Sequence, residues 1–269
     1  MKSWPNLNGK PGAGNLFAFL IEISRTTPAT RIMIKTGLGA TLDYGDGRTK
    51  NIRPSENWAI EYLQQYSSIG QYVVTITGDL TDFRMSYAYT GNTMTKRVLT
   101  PFPKSMSEIE SLDVAFQGCT KLESVPSDLL KNCRSIRTAN YAFSNCTSLI
   151  IPEGLFLGCD LITSFTGTFG SVGDFIPAQM IPSDLFSGCD RAESFENCFR
   201  YANIRYVPET LFDGTPNANN FRSAFTCSDP TITSSVPKLW NKFPNANGAF
   251  CFYGQSLIDG YESIPSDWK

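Results

Sequence analysis

The sequence contains no histidine among its 269 residues, and only 18% of the residues are charged. Histidine is the commonest general base and a frequent metal ligand, so its absence removes the usual basis for acid–base catalysis and for a zinc site. The formal net charge is −2, which leaves no basic surface to attract phosphate groups. These absences argue against an enzyme, a metal centre and a nucleic-acid partner.

Long apolar runs and phosphate-binding loops are also missing. No stretch approaches the roughly 18 to 20 consecutive apolar residues that a membrane span needs, so we expect no membrane insertion. Residues 1–6 lack the apolar core of a secretory signal, so we expect a chain that is made in the cytoplasm or has been trimmed of an export signal. Gly37-Leu38-Gly39 precedes a strand pattern rather than a helix, and we therefore predict no cofactor.

The C-terminal part of the sequence contains a repeat. A Val-Pro or Ile-Pro step recurs at spacings of 26, 30, 26, 29 and 28 residues, and an apolar pair of the Leu-Phe type follows each of the first five steps. Units of this length stack in solenoids, because each unit buries its apolar side chains only against its neighbours. The steps end at Pro126, Pro152, Pro182, Pro208, Pro237 and Pro265, and the phenylalanines that recur between them are Phe116, Phe143, Phe169, Phe199, Phe225 and Phe250.

The front of the chain follows a different rule. Its apolar residues alternate with polar ones, which predicts short strands at 17–23, 31–35, 40–44 and 72–77 and a β-sandwich built from them. The alternation is lost over residues 91–105, which contain Pro101 and Pro103. We therefore predict three parts: a sandwich over 1–90, a linker over 91–105 and a solenoid of about six units over 106–269.

Two motifs of the front part resemble a known domain. Leu42-Asp43-Tyr44-Gly45-Asp46-Gly47 is a strand that enters a tight turn, and a Tyr-x-x-x-Gly-x-Tyr-x-Val-x-Ile pattern begins at Tyr66. Together they resemble the polycystic-kidney-disease (PKD) type of immunoglobulin-like domain, with Tyr44 in place of the usual Trp. The resemblance implies a spacer or adhesive module. We interpret Asp43 and Asp46 as turn residues, and the alternative is a calcium site, which would need about six to eight oxygen ligands.

The repeats resemble another family. Residues 115–122 and 142–149 both read Ala-Phe-x-x-Cys-x-x-Leu and alternate with Ile-Pro-x-x-Leu-Phe phrases. This pattern resembles the BspA-like leucine-rich repeats of bacterial and phage surface proteins, and residues 170–178 fit a loop inserted between units. The fold expected for the whole chain is mainly β: an N-terminal Ig-like (PKD-type) β-sandwich plus a C-terminal leucine-rich-repeat solenoid.

The cysteines fall in step with the repeat. Cys119 and Cys146 come three residues after a recurring phenylalanine, and Cys133, Cys159 and Cys189 come three residues after an apolar pair. A free cysteine behaves as a small apolar residue, so these positions favour buried thiols. Disulfides between neighbouring units and metal binding are the alternatives. By the same logic Trp240 and Trp268 fit the core or the cap of the last unit.

The alternation within each unit also predicts an exposed face. Residues five and three positions before each phenylalanine are mostly polar, and stacking would align them as two adjacent rows. We take these rows as the candidate ligand or partner face, and a merely solvated surface is the alternative. The first row is Ser111, Thr138, Ser164, Ser194, Asn220 and Asn245, and the second row is Asp113, Asn140, Thr166, Glu196, Arg222 and Asn247.

We predict no catalytic residues. Asp113 and Glu196 would lie several units apart, beyond the roughly 5 to 9.5 Å between the paired acids of glycoside hydrolases. The resemblances imply a virion structural or recognition protein, a bacteriophage tail component assembled in the host cytoplasm. Its expected partners are other tail proteins and a host surface protein or glycan, with several copies in one assembly. The alternatives are a bacterial cell-surface or secreted adhesin and, third, a cytoplasmic scaffold.

Overall fold

The computed structural model describes residues 15–24, 31–63, 66–85, 92–170 and 179–269. The fold is mainly β. The helical elements in these ranges are the single turn α1 (Leu239–Lys242) and short 3-10 turns at 104–106, 261–263 and 266–268. The strands are β1 (Leu16–Ile23), β2 (Arg31–Asp43), β3 (Thr49–Ile52), β4 (Ser55–Tyr62), β5 (Gly70–Arg84), β6 (Thr95–Val98), β7 (Gln179–Met180) and β8 (Ile204–Tyr206).

The first six strands form one antiparallel sheet in the order β3-β2-β5-β1-β6, with β4 also paired to β2. The separate strands predicted at 31–35 and 40–44 are a single strand, β2, whose pairing with β5 shifts register between Thr36 and Ala40. The carboxylate of Asp79 accepts hydrogen bonds from the backbone N–H groups of Gly37 (3.0 Å) and Leu38 (2.9 Å). The glycines of this segment therefore lie in a bulge within one strand, and they do not end it.

The strand predicted at 72–77 also extends further, to Arg84. Gly78 lets it continue past the bulge, because a Cβ atom at Gly78 would lie 2.7 Å from the carbonyl oxygen of Gly39 and would prevent this approach of the two strands. β3 and β4 lie in a segment for which the sequence analysis predicted no strand.

The predicted linker contains regular structure. β6 pairs with β1 through Phe19 and Val98, and its Arg97 forms a parallel bridge to Ser124 in the first repeat. The Phe102 ring stacks on Phe116 at 6.0 Å. It also lies 5.0 Å from Phe17 of the sheet. The apolar core therefore runs without a break from the sheet into the repeats, and the sheet covers the first end of the stack.

Beyond the sheet, successive turns of the chain stack in parallel. Five isolated parallel bridges connect positions 26 to 30 residues apart, from Ser111 to Asn247. Inside the stack, neighbouring phenylalanine rings lie 5.1–5.7 Å apart and within 10° of parallel. The members of this column are Phe116, Phe143, Phe169, Phe199, Phe225 and Phe252.

The last turn differs from the sequence alignment. Phe252, which is fully buried, continues the phenylalanine column, whereas Phe250 is 50% exposed. Gly248 then occupies the place that Phe221 has in the turn before, and a Cβ atom at Gly248 would collide with the Trp268 ring. Trp268 is buried and closes this end of the core. This is the capping role, one of the two that the sequence predicted for it. The loop expected at 170–178 lies, apart from Gly170, outside the described residues.

Candidate binding face

The structure contains the first predicted row, except for its last residue. Parallel bridges connect its first five members in order, but Asn220 bridges to Asn247 and not to Asn245. The reason is the shift of the last turn, in which Phe252 replaces Phe250 as the core residue. The first row is therefore Ser111, Thr138, Ser164, Ser194, Asn220 and Asn247.

The second row is shifted at the same place. Asn247 was predicted to end it, but Asn247 belongs to the first row, and Ala249 lies two residues further on. The backbone N–H of Ala249 accordingly donates to the side chain of Asn247 at 3.1 Å, and the N–H of Arg222 donates to that of Asn220 at the same distance one turn earlier. The second row is Asp113, Asn140, Thr166, Glu196 and Arg222, with Ala249 as its last member.

Most of the row residues bind each other. The hydroxyl of Ser164 donates to Oδ1 of Asn140 at 2.6 Å. The backbone N–H of Asn140 in turn donates to Oδ1 of Asp113 at 2.7 Å. Further along, Nδ2 of Asn220 donates to Oε2 of Glu196 at 3.2 Å. These side chains are half-buried, so their hydrogen bonds contribute to the cohesion of the stack as well as to its surface.

The chain bends sharply just after the second row. In each of six turns the residue two positions before the core phenylalanine has a positive φ, which lies between 53° and 62°. Non-glycine residues adopt this conformation rarely, so the bend is imposed by the stacking of the turns. The positions are Val114, Tyr141, Gly167, Asn197, Ser223 and Phe250.

An open depression lies beside the rows in the last turns of the stack. Its volume is about 460 Å³. We call it the C-terminal depression. Phe250 and Tyr253 expose 50% and 57% of their surface there, and their rings meet edge to face at 6.1 Å. Among the residues that line the depression are Glu196, Arg200, Tyr201, Arg222, Phe250 and Tyr253.

Glu196 and Arg222 were predicted on this face from the sequence, whereas the other four residues were not. Phe250 was assigned to the core, because Ala249-Phe250 repeats the Ala-Phe phrase of earlier units. The signal that distinguishes the two residues is the spacing: Phe252 lies 27 residues after Phe225, as Phe143 lies 27 after Phe116. Arg200, Tyr201 and Tyr253 follow the core phenylalanines directly, at positions that are small or amide-bearing in the first two units.

The cysteines are all free and buried, as their positions in the repeat predicted. Burial raises the pKa of the Cys133 thiol to about 12 and that of the Cys159 thiol to about 11. Burial also raises the pKa of Cys146, whose Sγ donates to the carbonyl oxygen of Phe116 at 3.0 Å. A thiol that stays protonated is a poor nucleophile and a poor metal ligand, so these side chains act as packing groups.

The turn at the front of the chain uses its two carboxylates locally. Asp43 accepts a hydrogen bond from the N–H of Gly45 at 2.8 Å, and Asp46 accepts from the N–H of Arg48 at 3.0 Å and pairs with its guanidinium. This is the turn chemistry that the sequence predicted for both residues. Nowhere in the described part of the chain do three carboxylate or thiol side chains gather in a way that could hold a metal ion.

Beside this turn lies a buried polar pair. The hydroxyl of Tyr44 donates to Glu61 at 3.3 Å, and Lys50 binds the same carboxylate at 2.9 Å. Burial, followed by the charge of Glu61, raises the pKa of Tyr44 to about 12.

The helical segments that the structure describes are all too short to span a lipid bilayer.

No protein-family model matches the chain, and no curated protein is significantly similar to it.

Proposed function

We propose that the protein is a non-enzymatic recognition protein of a virion, a bacteriophage tail component that binds a host surface or a neighbouring tail protein. In this proposal residues 106–269 form a BspA-like leucine-rich-repeat solenoid. Residues 1–90 form a PKD-type immunoglobulin-like β-sandwich that either attaches the protein to a neighbouring protein or acts as a spacer. The two parts join over 91–105. Other tail proteins and a host surface protein or glycan are the proposed partners.

The stacking of the turns supports the repeat assignment. Solenoids of this class join neighbouring units by parallel bridges and bury one set of apolar residues per unit. Five such bridges and a continuous column of six phenylalanines run along this chain. Cys119 and Cys146, the cysteines of the Ala-Phe-x-x-Cys phrases, are buried in consecutive turns.

The contacts around the front turn support the PKD-type assignment. The hydroxyl of Tyr66 donates to the carbonyl oxygen of Tyr44 at 2.9 Å. The rings of Tyr66 and Tyr72 lie 4.4 Å apart. Tyr66 and Tyr72 belong to the pattern that carries the resemblance, and Tyr44 stands where the family has Trp. Together the three side chains hold the turn against β5.

One observation carries the proposed recognition role. Phe250 and Tyr253 are exposed beside a row of polar side chains, although the core of that turn is completed by Phe252 and Trp268. Exposed aromatic side chains that the core does not need are typical of surfaces that bind a partner. The virion setting rests on the two family resemblances.

Immunogold electron microscopy tests this proposal. Antibody against the protein is applied to purified phage particles and to intact cells from the same source. We expect gold label on the tail of the particles. Label confined to cell envelopes would overturn the virion assignment and would favour the bacterial adhesin. Label only inside cells would favour the cytoplasmic scaffold.

A further inference from the structure

We propose that the C-terminal depression binds an acidic saccharide, an inference that rests on the recognition function above and names its ligand class. The ligand would stack a sugar ring on Phe250 or Tyr253 and place its carboxylate against Arg222. This assignment is supported by the exposed aromatic side chains, by the charged side chains and by the hydrogen-bonded backbone around the depression.

The aromatic side chains have no structural role that explains them. Phe250 stands in a left-handed conformation (φ 60°) that costs of the order of 1–3 kcal/mol for a residue of its kind. The equivalent positions of the three preceding turns are Gly167, Asn197 and Ser223, which are small or tolerate this conformation better. Val114 and Tyr141 occupy the same position in the first two turns, so the bend tolerates a large side chain without requiring one, and the Phe250 ring is left half-exposed. This ring offers an apolar face to the C–H groups of a sugar.

The charges in the depression favour an anion. Arg200 and Arg222 outnumber Glu196, so these three side chains carry a net charge of +1. Arg200 is held in place, because its guanidinium donates to the hydroxyl of Tyr201 at 3.2 Å. The guanidinium of Arg222 is exposed and makes no hydrogen bond or ion pair with any residue that the structure describes. A planar guanidinium can bind a carboxylate through two parallel hydrogen bonds.

Glu196 adds an acceptor for hydroxyl groups. Its Oε2 accepts from Asn220 at 3.2 Å, whereas its Oε1 has no partner among the described residues. A carboxylate oxygen accepts hydrogen bonds but cannot donate them, so a second carboxylate would be repelled there while a sugar hydroxyl could donate to it. A site with guanidinium groups, a carboxylate acceptor and aromatic faces thus matches a molecule that has both an acid group and several hydroxyls.

The backbone around the depression argues against an extended peptide. Peptides often bind by adding a strand to an open edge, which requires unpaired N–H and C=O groups. Here three backbone N–H groups donate to carbonyl oxygens of the next turn. The pairs are Asn197 with Arg222 (2.9 Å), Tyr201 with Thr226 (2.7 Å) and Ser223 with Ala249 (2.9 Å). Because these backbone groups are used between turns, the depression offers a ligand mainly side chains.

The test measures binding of matched acidic and neutral probes to the intact protein. The probes are trigalacturonic acid and its methyl ester, and sialyllactose and lactose, with a hexapeptide of glutamate as the competing class. Saturation-transfer NMR identifies binding, and titration gives the dissociation constants. We expect at least one acidic sugar to bind about tenfold more tightly than its neutral partner and than the peptide.

Two pairs of variants locate the site. Arg222→Gln should reduce binding of the acidic sugar to the level of the neutral one, whereas Arg205→Gln, at an exposed arginine on β8, should leave it unchanged. Phe250→Asn should weaken both sugars about tenfold, since asparagine tolerates the left-handed conformation and lacks the ring. Tyr206→Ala, at a residue 41% exposed outside the depression, is its control. Tyr253→Ser provides a second test of stacking if Phe250→Asn does not fold.

Several outcomes would overturn the inference: no preference for the acidic sugars, tighter binding of the glutamate peptide, or an unchanged dissociation constant for Arg222→Gln. The immunogold experiment is independent of this result. Gold label on tails without sugar binding would refute the ligand class alone, and sugar binding without label on tails would refute the virion assignment alone.

Discussion

The rings of Phe225 and Phe252 lie 5.5 Å apart and within 1° of parallel, closer to parallel than the other neighbouring pairs of the column. This contact sets the register of the last turn. It places Cys251 in the buried position that Ala224 has in the turn before, and it brings Phe250 to the surface. The same shift moves Asn247 from the second row to the first and leaves room for Phe250 and Tyr253 beside the depression.

Substitution of the two phenylalanines of the last turn should therefore change stability by very different amounts. Phe252→Ala removes a fully buried ring from the column and should lower the free energy of unfolding by about 3–5 kcal/mol. Phe250→Asn should change it by less than about 1 kcal/mol, because the lost ring is half-exposed and asparagine relieves backbone strain. Urea unfolding measures both. A larger loss for Phe250→Asn would restore the register read from the sequence.

The last turn also shows why only part of the structure was predictable. The period of the repeat, the buried cysteines and most of both rows follow from spacing, because each turn must present the same residue types to its neighbours. Ala249-Phe250 and Cys251-Phe252 both satisfy the local pattern, and only stacking on Phe225 decides between them. Gly248 alone did not indicate that Trp268 fills the space above it, since that contact joins distant parts of the chain.

The front sheet was harder to predict for a related reason. Closely spaced glycines such as Gly37 and Gly39 usually weaken a strand. Here the strand continues, because the carboxylate of Asp79, about forty residues later, accepts the hydrogen bonds of the bulge. Pro101 and Pro103 coincide with a break in the alternation, but they did not reveal that Phe102 between them stacks on Phe116. Contacts of this kind depend on tertiary structure.

The shared core leads to a prediction about truncation. The division into three parts that the sequence predicts implies that the repeats fold without residues 1–90. The structure leads to the opposite expectation, because the truncation removes Phe17 and Phe83, which pack against Phe102 at the end of the stack. We expect residues 91–269 to bind a hydrophobic dye and to aggregate, as measured by dye fluorescence and size-exclusion chromatography.

The full-length chain is the control for this experiment, and Phe17→Ala within it is the milder variant. It should lower the free energy of unfolding by about 3–5 kcal/mol, since Phe17 is completely buried. A monomeric fragment 91–269 that unfolds at the same urea concentration as the full chain would show that the repeats close their own end.

The polar rows should contribute to stability as well as to binding. Asn140→Ala removes the acceptor of Ser164 and of the Thr166 N–H, and it leaves these half-buried donors without that partner. We expect a loss of about 1–2 kcal/mol in urea unfolding. Asn245→Ala is the matched control: Asn245 is exposed and lies outside both rows, so its substitution should change stability by less than about 0.5 kcal/mol. Equal effects would contradict the corrected register.

The thiols should be protected in the native protein. All eight cysteines are free and buried, so a disulfide reagent at pH 8 should react with almost none of them within minutes and with all eight in guanidinium chloride. Thiol counting by absorbance measures both states. A count of six or fewer after denaturation would reveal a disulfide between neighbouring turns, the alternative that the sequence had left open.

The same buried groups should make the fold sensitive to alkaline pH. Burial raises the pKa of Cys133 from 9.0 to about 12 and that of Cys159 to about 11. Burial and the charge of Glu61 likewise raise the pKa of Tyr44 from 10.0 to about 12. Between pH 9 and 11 the unfolded chain releases these protons while the folded chain keeps them. The unfolded state therefore binds fewer protons, and stability falls as pH rises.

The urea midpoint should accordingly be unaffected by these groups below about pH 8 and should fall progressively from pH 9 to 11. Cys133→Ala combined with Cys159→Ala removes two of the titrating thiols and should make the decline less steep, even though it lowers stability at pH 7 by loss of packing. The comparison separates titration from packing, because only titration changes the slope. An identical slope in the double variant would show that the thiols of these two neighbouring turns already ionise in the folded protein.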